Sequence, residues 1–157
     1  MQTIQVKQNG DLYSCDIGIS KEEWLELLQD NSMPDKYRDT LLRFYYMPEQ
    51  KGSCTVVSTI IGGDAHSLNS YITKIGQFVQ KKLNRFQVVR PNGKPCFWII
   101  PMCEGVDLPK GSEGTFEWRL RPELAEAIKD YLYWYLIERY KELRKKIPID
   151  GEEWTEI

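Results

Sequence analysis

The sequence predicts an α+β fold: a winged helix-turn-helix core with an N-terminal β-hairpin and a long C-terminal helix. Three observations predict it. Asn9-Gly10 and Asn92-Gly93 each lie between short alternating apolar segments, the signature of a tight hairpin turn. Before the second of these, a helical pattern, a Gly62-Gly63 turn and a second helical pattern run in series, the order of a helix-turn-helix followed by its wing. After Pro122 a helical pattern continues without a break to about Lys146.

Each element has a local cause. In 3–19, Ile4 and Val6 alternate with polar residues, and Leu12, Tyr13 and Ile17 form the return strand. Ser20-Lys21-Glu22-Glu23 is a capping box that opens a helix over Lys21–Gln29, with Trp24, Leu27 and Leu28 on one face. Pro34 suits a first helical position, and Tyr37, Leu41, Leu42, Phe44 and Tyr45 carry an apolar stripe toward Met47-Pro48. Glu49–Ser53 reads as a polar loop. Ser53 or Thr55 then caps a helix over Cys54–Ile61, and Gly62-Gly63-Asp64 ends it. Ser67 is expected to cap the next helix, to Asn84, whose apolar residues Leu68, Ile72, Ile75, Val79 and Leu83 form one face. Gly76 interrupts that helix and is expected to admit the preceding one at close range. Phe86–Arg90 and Cys96–Ile100 read as the second hairpin, 101–115 as loop, and Phe116–Leu120 as a further strand. The expected division is one domain over 1–149 and an acidic tail or linker over 150–157.

The hydrophobic share of 41% against 28% charged residues excludes a disordered chain. No apolar run reaches the roughly 20 residues of a membrane span, and the first residues do not resemble a signal peptide, so a cytoplasmic protein is expected. The four cysteines have no CxxC spacing, which argues for reduced thiols and against a zinc site. With a single histidine, His66, no His-rich metal site is expected. No Walker A loop, GxSxG elbow or nuclease signature is present, so neither catalysis nor a cofactor is expected from this chain.

Net charge is −2, but its distribution is uneven. Between Ala65 and Cys103 there is no Asp or Glu, while Lys74, Lys81, Lys82, Arg85, Arg90 and Lys94 all fall there. Such asymmetry suits an anionic partner for the basic stretch. On the second helix of the pair, Asn69, Ser70, Thr73 and Gln77 offer both donors and acceptors, as base edges require, and Lys74 and Lys81 can neutralise phosphates. Ser67 at the helix start favours a phosphate. Arg90, Asn92 and Lys94 stand at the hairpin tip, where a wing meets the DNA backbone. These ten residues form the expected interface with double-stranded DNA. His66 is expected at the surface, and Trp98 in the core rather than stacked on an extruded base. Tyr131, Tyr133, Trp134, Tyr135 and Tyr140 cover more than one face of the last helix. That excess points either to a second surface, for a homodimer or adjoining module, or to burial under the first hairpin.

Some segments resemble a known family. Trp24-Leu25-Glu26-Leu27-Leu28, Asn69 to Gly76, Arg90-Pro91-Asn92-Gly93-Lys94, Phe97-Trp98 and Phe116-Glu117-Trp118-Arg119-Leu120-Arg121-Pro122-Glu123-Leu124 span roughly residues 22–127. They resemble the N-terminal recognition region of bacterial restriction-type proteins that carry a downstream HNH nuclease or AAA+ GTPase (McrB-like) module. The resemblance implies a target-recognition domain of a defence system, with modified DNA among its targets and catalysis in a downstream module or partner. The expected function is thus non-catalytic DNA binding. The alternatives are a protein-interaction winged helix and a dimeric transcription regulator.

Overall fold

A computed structural model describes residues 1–147; the expected acidic tail at 150–157 lies outside them. The fold is mixed α and β, with a five-stranded antiparallel sheet, a separate two-stranded parallel sheet and five α-helices among the described residues.

Strand β1 (Gln2–Gln5) does not enter the first hairpin. It runs parallel to β5 (Phe86–Val89), with Gln2 opposite Phe86 and Gln5 opposite Val89. The hairpin itself is shorter than expected: β2 (Lys7–Asn9) and β3 (Leu12–Ser14) close around Gly10. The capping box forms as the sequence dictates. Ser20 Oγ accepts from Glu23 N at 3.2 Å, and Glu23 Oε1 accepts from Ser20 N at 3.2 Å. It starts α1 (Lys21–Gln29), whose Trp24, Leu27 and Leu28 are buried. Pro34, expected as the first helical residue, stands instead at the extended position just before α2 (Asp35–Tyr45) and makes no side-chain cap bond. The expected loop at Glu49–Ser53 is instead a 3₁₀ turn followed by β4 (Lys51–Ser53), an edge strand on the large sheet. Three residues are too few to show an alternating pattern, which is why this strand was not legible.

Ser53 caps α3 (Cys54–Ile60), accepting from Val56 N at 3.1 Å. After the turn 61–64 comes α4 (Ala65–Leu83). Its cap is Asp64, not Ser67: the Asp64 carboxylate accepts from both the amide and the hydroxyl of Ser67, each at 2.9 Å. A carboxylate makes the stronger, charge-assisted bond and complements the helix dipole. The 101–115 segment, expected as loop, contains β6 (Met102–Asp107), which pairs with both β3 and β7 (Phe116–Leu120). The large sheet therefore runs β2-β3-β6-β7-β4. Helix α5 (Pro122–Lys146) starts on Pro122 as expected, its first turns packed on α1.

The core is one contiguous cluster that joins Trp24, Leu28, Leu41, Phe44, Ile72, Ile75, Val79, Ile99, Ile100, Met102, Leu120 and Leu124. Burying each such side chain is worth roughly 1.5–3 kcal/mol. One charged group lies within it. The Arg121 guanidinium is buried and donates to the carbonyls of Ile100 (2.8 Å), Cys15 (2.7 Å) and Ile99 (2.6 Å). It ties together two stretches of chain, at Cys15 and at Ile99-Ile100, whose three carbonyls would otherwise be orphaned. Among the described residues no helix is long and apolar enough to cross a membrane.

Candidate nucleic-acid interface

The polar side of α4 divides into two strips. Residues 69, 73, 76 and 80 recur at helical spacing and turn toward the segment 86–98. Residues 70, 74, 77 and 81 lie further round, toward solvent. The first strip is held in place by two contacts. Gln80 Oε1 accepts from Val88 N at 3.2 Å. The Phe97 carbonyl presses so closely on Gly76 that a Cβ there would overlap it. The close approach that Gly76 permits is thus made by Phe97 and not by the preceding helix.

The expected wing is also altered. Its turn is present: Gly93 N donates to Arg90 O, and Arg90 N to Lys94 O, each at 2.8 Å. Asn92 Oδ1 accepts from Lys94 N at 3.0 Å, so this side chain serves the turn. Beyond a single bridge between Val89 and Pro95, however, Cys96–Ile100 does not continue as a strand. β1 takes one edge of β5; on the other, Cys96 N donates to Val88 O at 3.0 Å, but the Val88 amide goes to Gln80 and the ladder ends there.

Between α4, this segment and the large sheet lies an open cavity of about 370 Å³. Its walls are Tyr13, Trp98, Phe116 and Trp118, and Asn69, Thr73, Arg90 and Asp107 complete its lining. The rings are packed mainly edge to face: Trp98 to Phe116 at 5.2 Å and 70°, Phe116 to Trp118 at 5.4 Å and 63°, and Tyr13 to Trp98 at 6.4 Å and 86°. Register explains the gathering. Gly105 stands opposite Tyr13 on one neighbouring strand and Trp118 on the other. Having no side chain, it leaves room for the Phe116 and Trp98 rings, which a Cβ would strike. The Tyr13 hydroxyl donates to Asp107 Oδ2 at 2.9 Å, and that bond raises the phenol's pKa above its usual value. Trp118 Nε1 is buried with no hydrogen-bond partner among the described residues.

Two smaller cavities adjoin this one. One shares Asn69, Phe116 and Trp118 and adds His66, Ala65, Thr55 and Ser53. The other shares Tyr13, Arg90 and Trp98 and adds Gln8, Asn92 and Cys96. Together they make a groove from the start of α4 to the Asn92 turn. Its far end is fixed by the Ser53 hydroxyl, which donates to Glu113 O at 2.6 Å and docks the 108–115 loop.

Of the expected interface residues, Asn69, Thr73 and Arg90 line the central cavity, and Asn92 the adjoining one. Lys74, Gln77 and Lys81 are exposed on the outer strip and Lys94 at the turn, while Ser70 is half-buried. Ser67 is half-buried and bonded to Asp64, so it is not poised to meet a phosphate. Two of the six basic residues are occupied. Lys82 pairs with Asp30 at 3.0 Å, and Arg85 is forked onto Glu23, whose pKa falls to about 2 chiefly through that bond. Lys74, Lys81, Arg90 and Lys94 have no ion pair among the described residues. His66 is exposed, as expected. Trp98 is buried, as expected, yet one side of it forms a cavity wall.

Sequence reasoning missed Tyr13, Asp107, Phe116 and Trp118 as site residues. For Phe116 and Trp118 a signal existed, since alternation places both on one strand face. For Asp107 there was none, because its strand was not visible. The thiols give no sign of reactivity: burial pushes Cys54 up to about 12 and raises Cys15, Cys96 and Cys103. Among the described residues no cluster of His, Cys, Asp and Glu could hold a metal ion. No family model matches the chain, and neither a curated protein nor a solved structure was found that matches it.

Proposed function

We propose that this chain is a non-catalytic DNA-recognition domain that receives a single base, extruded from the duplex, in its aromatic cavity. The observation that carries the reading is the cavity itself. It falls within the usual range of roughly 300–1,000 Å³ for ligand pockets, with aromatic walls and a few polar groups at the mouth. Aromatic faces stack any base, and an amide, a hydroxyl, a guanidinium and a carboxylate offer donors and acceptors to a base edge. Asp107 suits a base edge and repels phosphate. The backbone would therefore follow the Lys74, Lys81, Arg90 and Lys94 side, where the cations are not committed to ion pairs. In this reading α3 and α4 act as a helix-turn-helix pair and the 86–98 segment replaces a regular wing. The family resemblance adds a restriction-type defence setting, with modified cytosine as one candidate base and catalysis supplied elsewhere.

The test is binding to matched, singly mismatched and cytosine-modified duplexes at two salt concentrations. Extrusion is easiest where pairing is already weak, so the mismatched duplex is expected to bind tighter than the matched one. Thr73→Phe, at an exposed position on the rim, should fill the mouth and remove that difference. Lys74→Glu with Lys81→Glu should weaken all duplexes and flatten the salt dependence. Equal affinity for matched and mismatched duplexes would remove the base-pocket reading, and absence of binding to every duplex would remove DNA recognition altogether.

A further inference from the structure

The central cavity is lined by two opposite charges that do not meet. Asp107 and Arg90 both face it, yet among the described residues no ion pair joins them. Each is anchored by its own element. Arg90 opens the 90–94 turn, its amide donating to Lys94 O and its carbonyl accepting from Gly93 N, each at 2.8 Å. Asp107 ends β6 opposite Phe116, and its amide donates to Asp11 O at 2.9 Å. The Asp107 side chain is fixed as well, because Oδ2 accepts from the Tyr13 hydroxyl at 2.9 Å. A carboxylate has about four acceptor positions, and Tyr13 fills one of them. The Arg90 guanidinium keeps its N–H donors, with no hydrogen bond to another side chain or carbonyl among the described residues. A flat ligand between these rings therefore meets acceptors on one side and donors on the other.

The bases of DNA answer this pattern unequally. Guanine carries N1–H and the N2 amine side by side, which match the two oxygens of a carboxylate. Its O6 and N7 also lie side by side, and they match the fork of a guanidinium. Cytosine and adenine each present one amino group flanked on its pairing edge by an acceptor, so a carboxylate gains one bond and meets a lone pair beside it. Thymine presents one N–H between two carbonyls, which a carboxylate repels.

We propose that the cavity selects guanine, with Asp107 accepting from N1–H and the N2 amine and Arg90 donating to O6 and N7. The proposal rests on the reading of the cavity as a base pocket, and it departs from the cytosine that the family resemblance suggests. Tyr13 is a positioning residue, since its hydroxyl holds Asp107 while its ring forms part of the wall. Guanine has two sources, a base extruded from a duplex and a free guanine nucleotide, and the test separates them.

The full chain is titrated, by fluorescence anisotropy, with four duplexes that are identical except that A, C, G or T faces an abasic site, so that one unpaired base is offered. The guanine duplex is expected to bind at least about tenfold more tightly than the other three. Hypoxanthine in place of that guanine removes the N2 amine, and 7-deazaguanine removes the N7 acceptor; each should weaken binding severalfold. Asp107→Asn should erase the hypoxanthine penalty and keep the 7-deazaguanine penalty, and Arg90→Ala should do the reverse. Both residues are exposed, so the thermal melts of these variants should be unchanged. Tyr13→Phe should shrink the guanine preference and leave affinity for the other three bases as it was, a split that a general loss of structure does not produce. Equal binding of the four duplexes, each tighter than a fully paired one, would overturn guanine selection and leave the base pocket standing. Tightest binding of another base would do the same. No gain over the paired duplex, with no preference for guanosine 5′-monophosphate over the other monophosphates, would overturn both. Preference for guanosine 5′-monophosphate that Asp107→Asn abolishes, with no duplex bound, would uphold guanine selection and remove DNA recognition.

Discussion

Asn9-Gly10 and Asn92-Gly93 carry the same turn signal, and the chain reverses at both. Their surroundings then diverge. The first turn closes a two-stranded ladder, Lys7 opposite Ser14, that joins a sheet edge. The second closes only one bridge before its return limb coils away. The difference lies in where the backbone finds other partners. After Gly10, β3 is taken up by β6 and stays extended. After Gly93, Cys96 N still reaches Val88 O, but the Val88 amide is taken by Gln80 and the carbonyls of Ile99 and Ile100 by Arg121. A turn signal fixes that the chain reverses. Whether two strands follow depends on who else offers hydrogen bonds.

The largest effect on this contrast is expected from Arg121→Ala. It strips three carbonyls of their partner in a buried site and should lower stability by about 3–5 kcal/mol, read from the urea midpoint. A loss below about 1 kcal/mol would mean that the return limb is held by packing alone. Gly76→Ala comes next. Its methyl group would overlap the Phe97 carbonyl, so a loss of about 1–3 kcal/mol is expected, with altered near-ultraviolet dichroism as Trp98 shifts.

A finer comparison sets Gly10→Ala beside Gly93→Ala. Both glycines have positive φ, +62° and +85°, with open space around them, so each substitution should cost about 1–2 kcal/mol through backbone strain. Their effects on binding should differ: Gly93→Ala displaces Arg90 and Lys94 and should weaken DNA binding severalfold, whereas Gly10→Ala should leave it intact. Equal weakening by both would separate the 90–94 turn from the interface.

The smallest effect concerns pH. Glu23 titrates near 2 in the folded chain, below its unfolded value, mainly because Arg85 bonds its carboxylate. Its stabilisation is therefore present above the unfolded pKa and is lost as pH falls from about 5 to about 2. Glu23→Gln should flatten the acid limb of stability over that window and leave neutral pH less affected than Arg121→Ala does. An unchanged acid limb would show that the pair contributes nothing.

The elements with a local cause were legible in the residues alone. Ser20 and Glu23 cap α1 wherever it packs, Pro122 starts α5, and the spacing of Leu68, Ile72, Ile75 and Val79 selects the face that α4 buries. The composition of α4's outer strip was legible for the same reason. Tertiary structure decided the rest. Three-residue β4 has no period to read, and β6, bearing Gly105 and Asp107, owes its strand to pairing with β3 and β7. The parallel pairing of Gln2–Gln5 with Phe86–Val89 joins segments some eighty residues apart. The cavity is decided last, since Tyr13, Trp98, Phe116 and Asn69 meet only when sheet register and the Gly76 contact are both in place. Helix caps and faces are set by neighbours within four residues, and sequence alone suffices for them. Strand partners and pocket walls are set by contacts remote in the chain, which no local pattern encodes.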